Sequence, residues 1–291
     1  MLPRQSARAA SCRQRSNMVT LAPTVSMAGM SVQADGTFAA HRTLPEETPV
    51  AIVINGTTQA IMMATPDDLA DFALGFVLSE AIVTAADQIE SLEILFHDQG
   101  CEVQMWLRDD RSTILKERRR SMAGPVGCGL CGIDSLDQAM RMVPRVGGED
   151  LRLDRREVGD ATQALRAGQI LHRKTQATHA AGLLVAGEGI VLVREDIGRH
   201  NALDKLIGAL AKSDIDPARG AAVMTSRLSV DLVQKCAVAG LPAIIAVSAP
   251  TAHAVRLADQ AGITLVAFAR GGGFDTYSHH YRILSEVTDV A

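Results

Sequence analysis

From residue 180 onward the chain alternates short unbroken apolar runs with helical repeats, and this rhythm restricts the fold more than any other feature. Residues 181–186 and 190–194 read as a hairpin about Gly187-Glu188-Gly189. A helix follows over 199–210, with Ala202, Leu203, Leu206, Ile207 and Leu210 on one face. Strands at 221–225, 243–247 and 264–268 then alternate with helices at 230–239 and 251–260. Continuous apolar strands separated by helices mean βαβ units and a sheet buried on both faces. The expected fold class is α/β, three layers about a mixed, mostly parallel sheet.

The N-terminal half reads differently. Asn55-Gly56 between two apolar runs is a strong hairpin signal. A second hairpin is expected over 89–96 and 101–107, with Cys101 as buried packing. Between them, Thr65-Pro66-Asp67-Asp68 reads as an N-cap, a proline at the first helical position and early acids, opening a helix to about residue 82. Order is expected from near Pro49. Residues 1–45 are expected to be a tail, disordered or preceding the true start. Their arginines (Arg4, Arg8, Arg13, Arg15) and serines, with no acid before Asp35, mimic a transit peptide. Residues 46–150 form an N-terminal subdomain of hairpins and a helix, and 151–291 form the α/β core. Pro144 to Asp150 reads as the linker.

In an open α/β sheet, ligands bind beyond the carboxyl ends of the strands. Here those ends carry Glu195-Asp196-Ile197-Gly198-Arg199-His200, then Thr225-Ser226-Arg227, then Ser248-Ala249-Pro250-Thr251, then Arg270-Gly271-Gly272-Gly273. If the strands run the same way, one edge gathers three arginines, a histidine, hydroxyls and helix N-termini. That suits an anionic, phosphate-bearing ligand. His200 and Asp204, four apart on a helix, are a candidate acid/base pair.

Between the two halves stands Gly127-Cys128-Gly129-Leu130-Cys131-Gly132, downstream of Lys116-Glu117-Arg118-Arg119-Arg120 and upstream of a helix start at Asp134. Neighbouring cations and a helix N-terminus lower a thiol pKa. A zinc site would need two further ligands. The chain has no second Cys-x-x-Cys and no His-x-x-x-His, and His172 and His179 are poorly spaced. A zinc deaminase would need His-x-Glu and Pro before the first cysteine; Gly127 stands there instead. No directly bound metal is expected. Dithiol exchange and sulfur relay through a persulfide both remain, and residue chemistry does not separate them.

Composition removes other classes. A net charge of −4 and 3% aromatic residues argue against a nucleic-acid partner. No apolar run reaches the ~20 residues that a membrane helix needs. Five cysteines in this spacing do not form a secreted disulfide framework, so a cytoplasmic location is expected.

The chain resembles the formate dehydrogenase accessory sulfurtransferases (FdhD/NarQ) from about residue 48 onward. The resemblance rests on 72–80, 115–120, the Gly127 to Gly132 loop, Thr178-His179-Ala180-Ala181, the long stretch from Glu195 to Gly208, Val233-Gln234-Lys235 and 247–251. It implies a sulfurtransferase that takes sulfur from an IscS-type cysteine desulfurase. The sulfur passes to the molybdenum (or tungsten) bis-guanine-dinucleotide cofactor for formate dehydrogenase. Cys128 becomes the persulfide carrier and Cys131 its assistant. The cofactor stretch falls on Phe268, Ala269, Arg270, Gly271, Gly272 and Gly273, joined at the strand ends by Arg199, His200, Arg227, Ser248 and Thr251. Many members carry a basic residue where Gly273 stands, which shifts load to Arg270. A cytidine-deaminase-like core and a homodimer are further implications. The competing readings are a cofactor chaperone that moves no sulfur and a dithiol oxidoreductase.

Overall fold

The computed structural model describes residues 21–108 and 143–284. Four strands and one helix build the first body. β3 (Thr48–Ile54) and β4 (Thr57–Ala64) form the first expected hairpin. Asn55 and Gly56 both take positive φ (49° and 73°), which is what a two-residue hairpin turn demands. β5 (Ile89–His97) and β6 (Gly100–Leu107) form the second. β6 joins β3 in parallel, giving the order β4-β3-β6-β5. Helix α1 (Leu69–Ser79) covers one face, and Phe72, Val77, Ile52, Val103 and Met105 form the core between them.

The helix start differs from the sequence reading. Residue 68 is the N-cap, in left-handed conformation and without a side-chain cap. Thr65 is fully buried and ties this body to the next: its N–H donates to Asp196 and its carbonyl accepts from Lys205.

The second body contains a six-stranded sheet ordered β13-β12-β11-β10-β8-β9. Its strands are β8 (His179–Val185), β9 (Gly189–Asp196), β10 (Gly220–Met224), β11 (Ala243–Ala246), β12 (Thr264–Arg270) and β13 (Gly273–Ser278). Helices α4 (Arg199–Ala211), α5 (Val230–Val238) and α6 (Ala252–Ala261) cover one face through Leu206, Val233 and Leu257. On the other face lies α2 (Arg155–Gly168), through Val158, Ala161 and Leu165. The three-layer arrangement is therefore as expected.

The expectation of a mostly parallel sheet is corrected. Within this six-stranded sheet β10–β11 and β11–β12 pair in parallel, while β10–β8, β8–β9 and β12–β13 are antiparallel. Tight turns cause this. Gly187 and Gly189 (φ 76° and 79°) reverse the chain between β8 and β9, and Gly271 and Gly272 do so between β12 and β13. Two antiparallel steps restore direction, so β9 runs the same way as β10, β11 and β12.

Residues 143–150 are no free linker. Val146 donates to Ala261 O at 2.8 Å and sits in the core. The almost fully buried Arg282 donates to Gly147 O and Gly148 O. It lies in the turn before β14 (Ile283–Leu284), which pairs with β7 (Leu153–Asp154). The short helix α3 (Ile170–Thr175) precedes β8.

Order also begins earlier than Pro49. β1 (Thr24–Gln33) and β2 (Gly36–Pro45) pair in unbroken register, so the disordered-tail expectation does not hold for residues 24–45.

Candidate functional site

The site is built on the edge where β9, β10, β11 and β12 end. Each expected segment is there, and backbone bonds join neighbours. Leu228, after β10, forms a bridge with Pro250, after β11. Leu228 N–H donates to Ala249 O, and Thr251 N–H donates to Leu228 O. Phe268 N–H donates to Ser248 O, joining the β11 and β12 ends. At the β9 end, His200 pairs with Asp231 at the start of α5.

Asp196 shapes the first segment. Its carboxylate accepts from Gly198 N–H (2.8 Å), Asn201 Nδ2 (2.9 Å) and Thr65 N–H (3.0 Å) and pairs with Lys205 Nζ at 2.8 Å. Both ends of that pair have no exposed surface. Glu195 caps α3, accepting from Leu171 N–H, His172 N–H and the Thr178 hydroxyl. The sequence motif thus folds the turn that delivers Arg199 and His200 to the edge.

Arginine and histidine side chains gather there around Asp196. His179 opens β8 opposite Asp196. Burial, and then the neighbouring Arg199, His172 and His200, hold its pKa below the ordinary histidine value. Among the described residues Arg199 Nε is buried without a hydrogen-bond partner, a donor suited to an anion. Burial pushes the Asp231 carboxyl upward, but hydrogen bonding and charge from His200 outweigh this and lower its pKa.

The far end of the edge is a backbone cradle. Phe268 takes φ 54°, a left-handed conformation that a bulky residue adopts only under constraint. It lies where the β12–β13 register shifts. Ala269 is buried, and its carbonyl accepts from Thr162 of α2 at 2.6 Å. Arg270, Gly271, Gly272 and Gly273 are exposed. A Cβ on Gly159 of α2 would come within 2.5 Å of Gly272 O, so α2 approaches this turn as closely as backbone allows.

Other expected residues are partly committed. The Thr251 hydroxyl caps α6 by accepting from Ala254 N–H, and Ser248 gives its carbonyl to Phe268. Arg227 is exposed. His200 and Asp204 do not face each other as an acid/base pair. Asp204 turns into the crossing of α1 and α4, where Lys235 Nζ reaches it at 2.9 Å and the Ser79 hydroxyl donates to it at 2.7 Å. Burial opposes the Lys235 charge, but Asp204 and Glu80 outweigh it and raise the lysine's pKa. Asp231, Asp196, Lys205 and Lys235 were not singled out as site residues. For Lys205 a signal was present: it sits within the apolar repeat of α4, where every residue from Asn201 to Leu210 is buried, so its charge needs an internal partner.

Cys128 and Cys131 lie outside the described residues. The two described cysteines are both buried; burial pushes the Cys101 thiol to about 11 and the Cys236 thiol to about 12. Neither supplies a thiolate near neutral pH. Among the described residues no cluster of three or more His, Cys, Asp or Glu could hold a metal ion, and no helix is long and apolar enough to cross a membrane. A cavity of about 460 Å³ lined by Gly148, Asp150, Arg152, Ala186, Asp216 and Arg219 lies at the opposite, amino-terminal edge of the sheet.

A sulfur carrier protein FdhD of Agrobacterium fabrum is 48% identical over 244 residues, spanning 84% of this chain and 90% of that protein. One from Brucella abortus is 51% identical over 243 residues, with the same two coverages. The crystal structure of a formate dehydrogenase accessory protein from Desulfotalea psychrophila superposes with a TM-score of 0.70 at 25% identity, covering 90% of this chain and all of that one. The model of the FdhD/NarQ family matches residues 45–284, from the end of the β1–β2 hairpin to the last described residue. By fold, strand-end motif and sequence, the chain belongs to the FdhD/NarQ family.

Proposed function

We propose that this chain is a sulfurtransferase that carries sulfur on Cys128 from a cysteine desulfurase to a molybdenum or tungsten bis-guanine-dinucleotide cofactor, for formate dehydrogenase. The relatives named as sulfur carriers support the carriage itself. Within the chain, the observation that carries the reading is the shared direction of four strand ends at one cationic, glycine-bordered edge. Cys101 and Cys236 are too deeply protonated to act, which leaves the nucleophile to the remaining cysteines.

In the loading step the Cys128 thiolate attacks the outer sulfur of a desulfurase persulfide. A new S–S bond forms on Cys128, the donor's S–S bond breaks, and the donor cysteine leaves as thiolate. Cys131 assists by sharing the sulfur. The acceptor is a substrate of this protein, and its guanosine phosphates are the groups the edge is suited to hold. Arg199 and Arg270 supply charge, Gly271 and Gly272 let backbone approach closely, and Phe268 offers an exposed ring. His200, Arg227, Ser248, Thr251, Ala269 and Gly273 complete that edge. A homodimer, a cytoplasmic location, a cytidine-deaminase-like core and a division near residue 150 belong to the same reading.

The test separates carriage from chaperoning. Cys128→Ala is expected to abolish formate dehydrogenase activity in a strain lacking the native protein while still binding guanosine diphosphate. Arg270→Ala is expected to weaken that binding by on the order of tenfold or more, the range for one charge-assisted contact. Full enzyme activity with Cys128→Ala would contradict the carrier reading and favour the chaperone.

A further inference from the structure

The β1–β2 hairpin has no use in the function just described, and it lies before the residues that the family model matches. It is a ribbon of two ten-residue strands standing alone as a sheet, with β2 resting on α3. Two-stranded ribbons are marginal in water without a cover. This one is exposed along nearly its whole length, including Met27, Met30, Val32 and Phe38. Met30 is 67% exposed and Val32 is 78% exposed. Register puts Met27 and Phe38 on one face and Met30 and Val32 on the other, so both faces are apolar. Between Thr24 and Pro45 only Asp35, His41 and Arg42 carry titratable groups. An apolar ribbon in which the single acid Asp35 offsets the single arginine Arg42 is not built for nucleic acid or an anionic lipid surface.

A second, partly apolar surface exists on the same chain, with the half-buried Glu102 and Gln104 of β6 also on it. The face of the four-stranded sheet turned away from α1 exposes Ile61 and Met63 on β4 and Trp106 on β6, at 56%, 46% and 51%. β4 is an edge strand of that sheet. The chain's own hairpin leaves this face uncovered.

We propose that the hairpin is an exchange arm that lies on the Ile61–Met63–Trp106 face of a second copy of this chain, reciprocally about a twofold axis. Size supports this occupant. A ribbon about 34 Å long and about 10 Å wide offers roughly 340 Å² per face, and two arms with two receiving faces bury roughly 1,400 Å². That falls within the roughly 1,200–2,000 Å² of stable specific interfaces. Self-exchange also makes one surface complement the other within a single sequence, as a twofold interface requires.

The proposal rests on the homodimer reading, and the test keeps the two apart. Sedimentation equilibrium would compare the full chain with Met27→Glu/Phe38→Glu, two residues on one face of the ribbon, and with Trp106→Glu. In parallel, a photoreactive benzoylphenylalanine at Phe38 would be cross-linked in a mixture of ¹⁵N-labelled and unlabelled full chains. The expected result is a wild-type dimer whose dissociation constant rises on the order of 100-fold in either variant. Mixed-isotope cross-links are expected from position 38 to peptides holding Ile61, Met63 or Trp106. A wild-type dimer unchanged by the arm substitutions, or cross-links confined to one chain, overturns the arm and leaves the homodimer standing. A monomeric wild type overturns both.

Discussion

Asp196 and Lys205 hold each other in a place that water does not reach. Lys205 Nζ also donates to the carbonyls of Thr65 and Glu195, so one ammonium group joins β4, β9 and α4. Lys205→Met would leave the Asp196 carboxylate buried with its main counter-charge gone, and the expected loss of stability is about 3–5 kcal/mol by urea unfolding. His200 and Asp231 make a second test at this scale. The Asp231 carboxyl is held low in the folded state, so its contribution is present above the unfolded carboxyl pKa of about 4 and disappears as pH falls through the folded value. The stability difference between wild type and His200→Gln should therefore shrink on going from pH 7 to pH 3. A difference that stays constant over that range would contradict the pairing. Phe268 adds strain to the same edge, of order 1–3 kcal/mol for a left-handed bulky residue. Phe268→Gly is expected to leave stability within about 1 kcal/mol of wild type, because relieved strain offsets lost contact, while guanosine diphosphate binding weakens.

At the scale of elements, the two bodies meet where α1 crosses α4. A Cβ on Gly75 would stand 1.7 Å from Asp204 O, and one on Gly208 would stand 1.9 Å from Asp71 O. The helices touch backbone to backbone, and the obstacle is main chain that cannot rotate away. Gly208→Val should cost more than about 3 kcal/mol, enough to reduce soluble yield, measured by thermal unfolding and expression. This crossing also explains what was legible in the sequence. The strands and helices from residue 180 to 268 were readable because each is a short run buried on one or both faces, so hydrophobic period reports them directly. Asn55-Gly56 was readable because a two-residue turn admits few residue types. The role of Thr65 is not legible locally: its pattern mimics a cap, while its actual partners, Asp196 and Lys205, lie more than 130 residues away. The hairpin at 24–45 carries no such signal because its alternation is not amphipathic: both faces are apolar and both are exposed. Pairing order in the sheet was beyond local pattern too, since β8 inserts between β9 and β10 only through tertiary packing.

At the scale of the whole molecule, one sheet edge collects the groups suited to an anionic nucleotide, and a separate stretch of chain carries the reactive thiols. The strand-end argument needed only strand direction to hold, and direction held even though most pairings are antiparallel. The buried charges that shape the edge were the part it could not see, because each partner comes from another element. The central claim is that Cys128 takes sulfur as a persulfide. The most direct measurement is intact-protein and peptide mass spectrometry after incubation with an active cysteine desulfurase and L-cysteine, on wild type, Cys128→Ala and Cys131→Ala. The account predicts one added sulfur mapped to Cys128, retained at least in part in Cys131→Ala and absent from Cys128→Ala. Sulfur on neither residue, with the desulfurase turning over in the same tube, would contradict it.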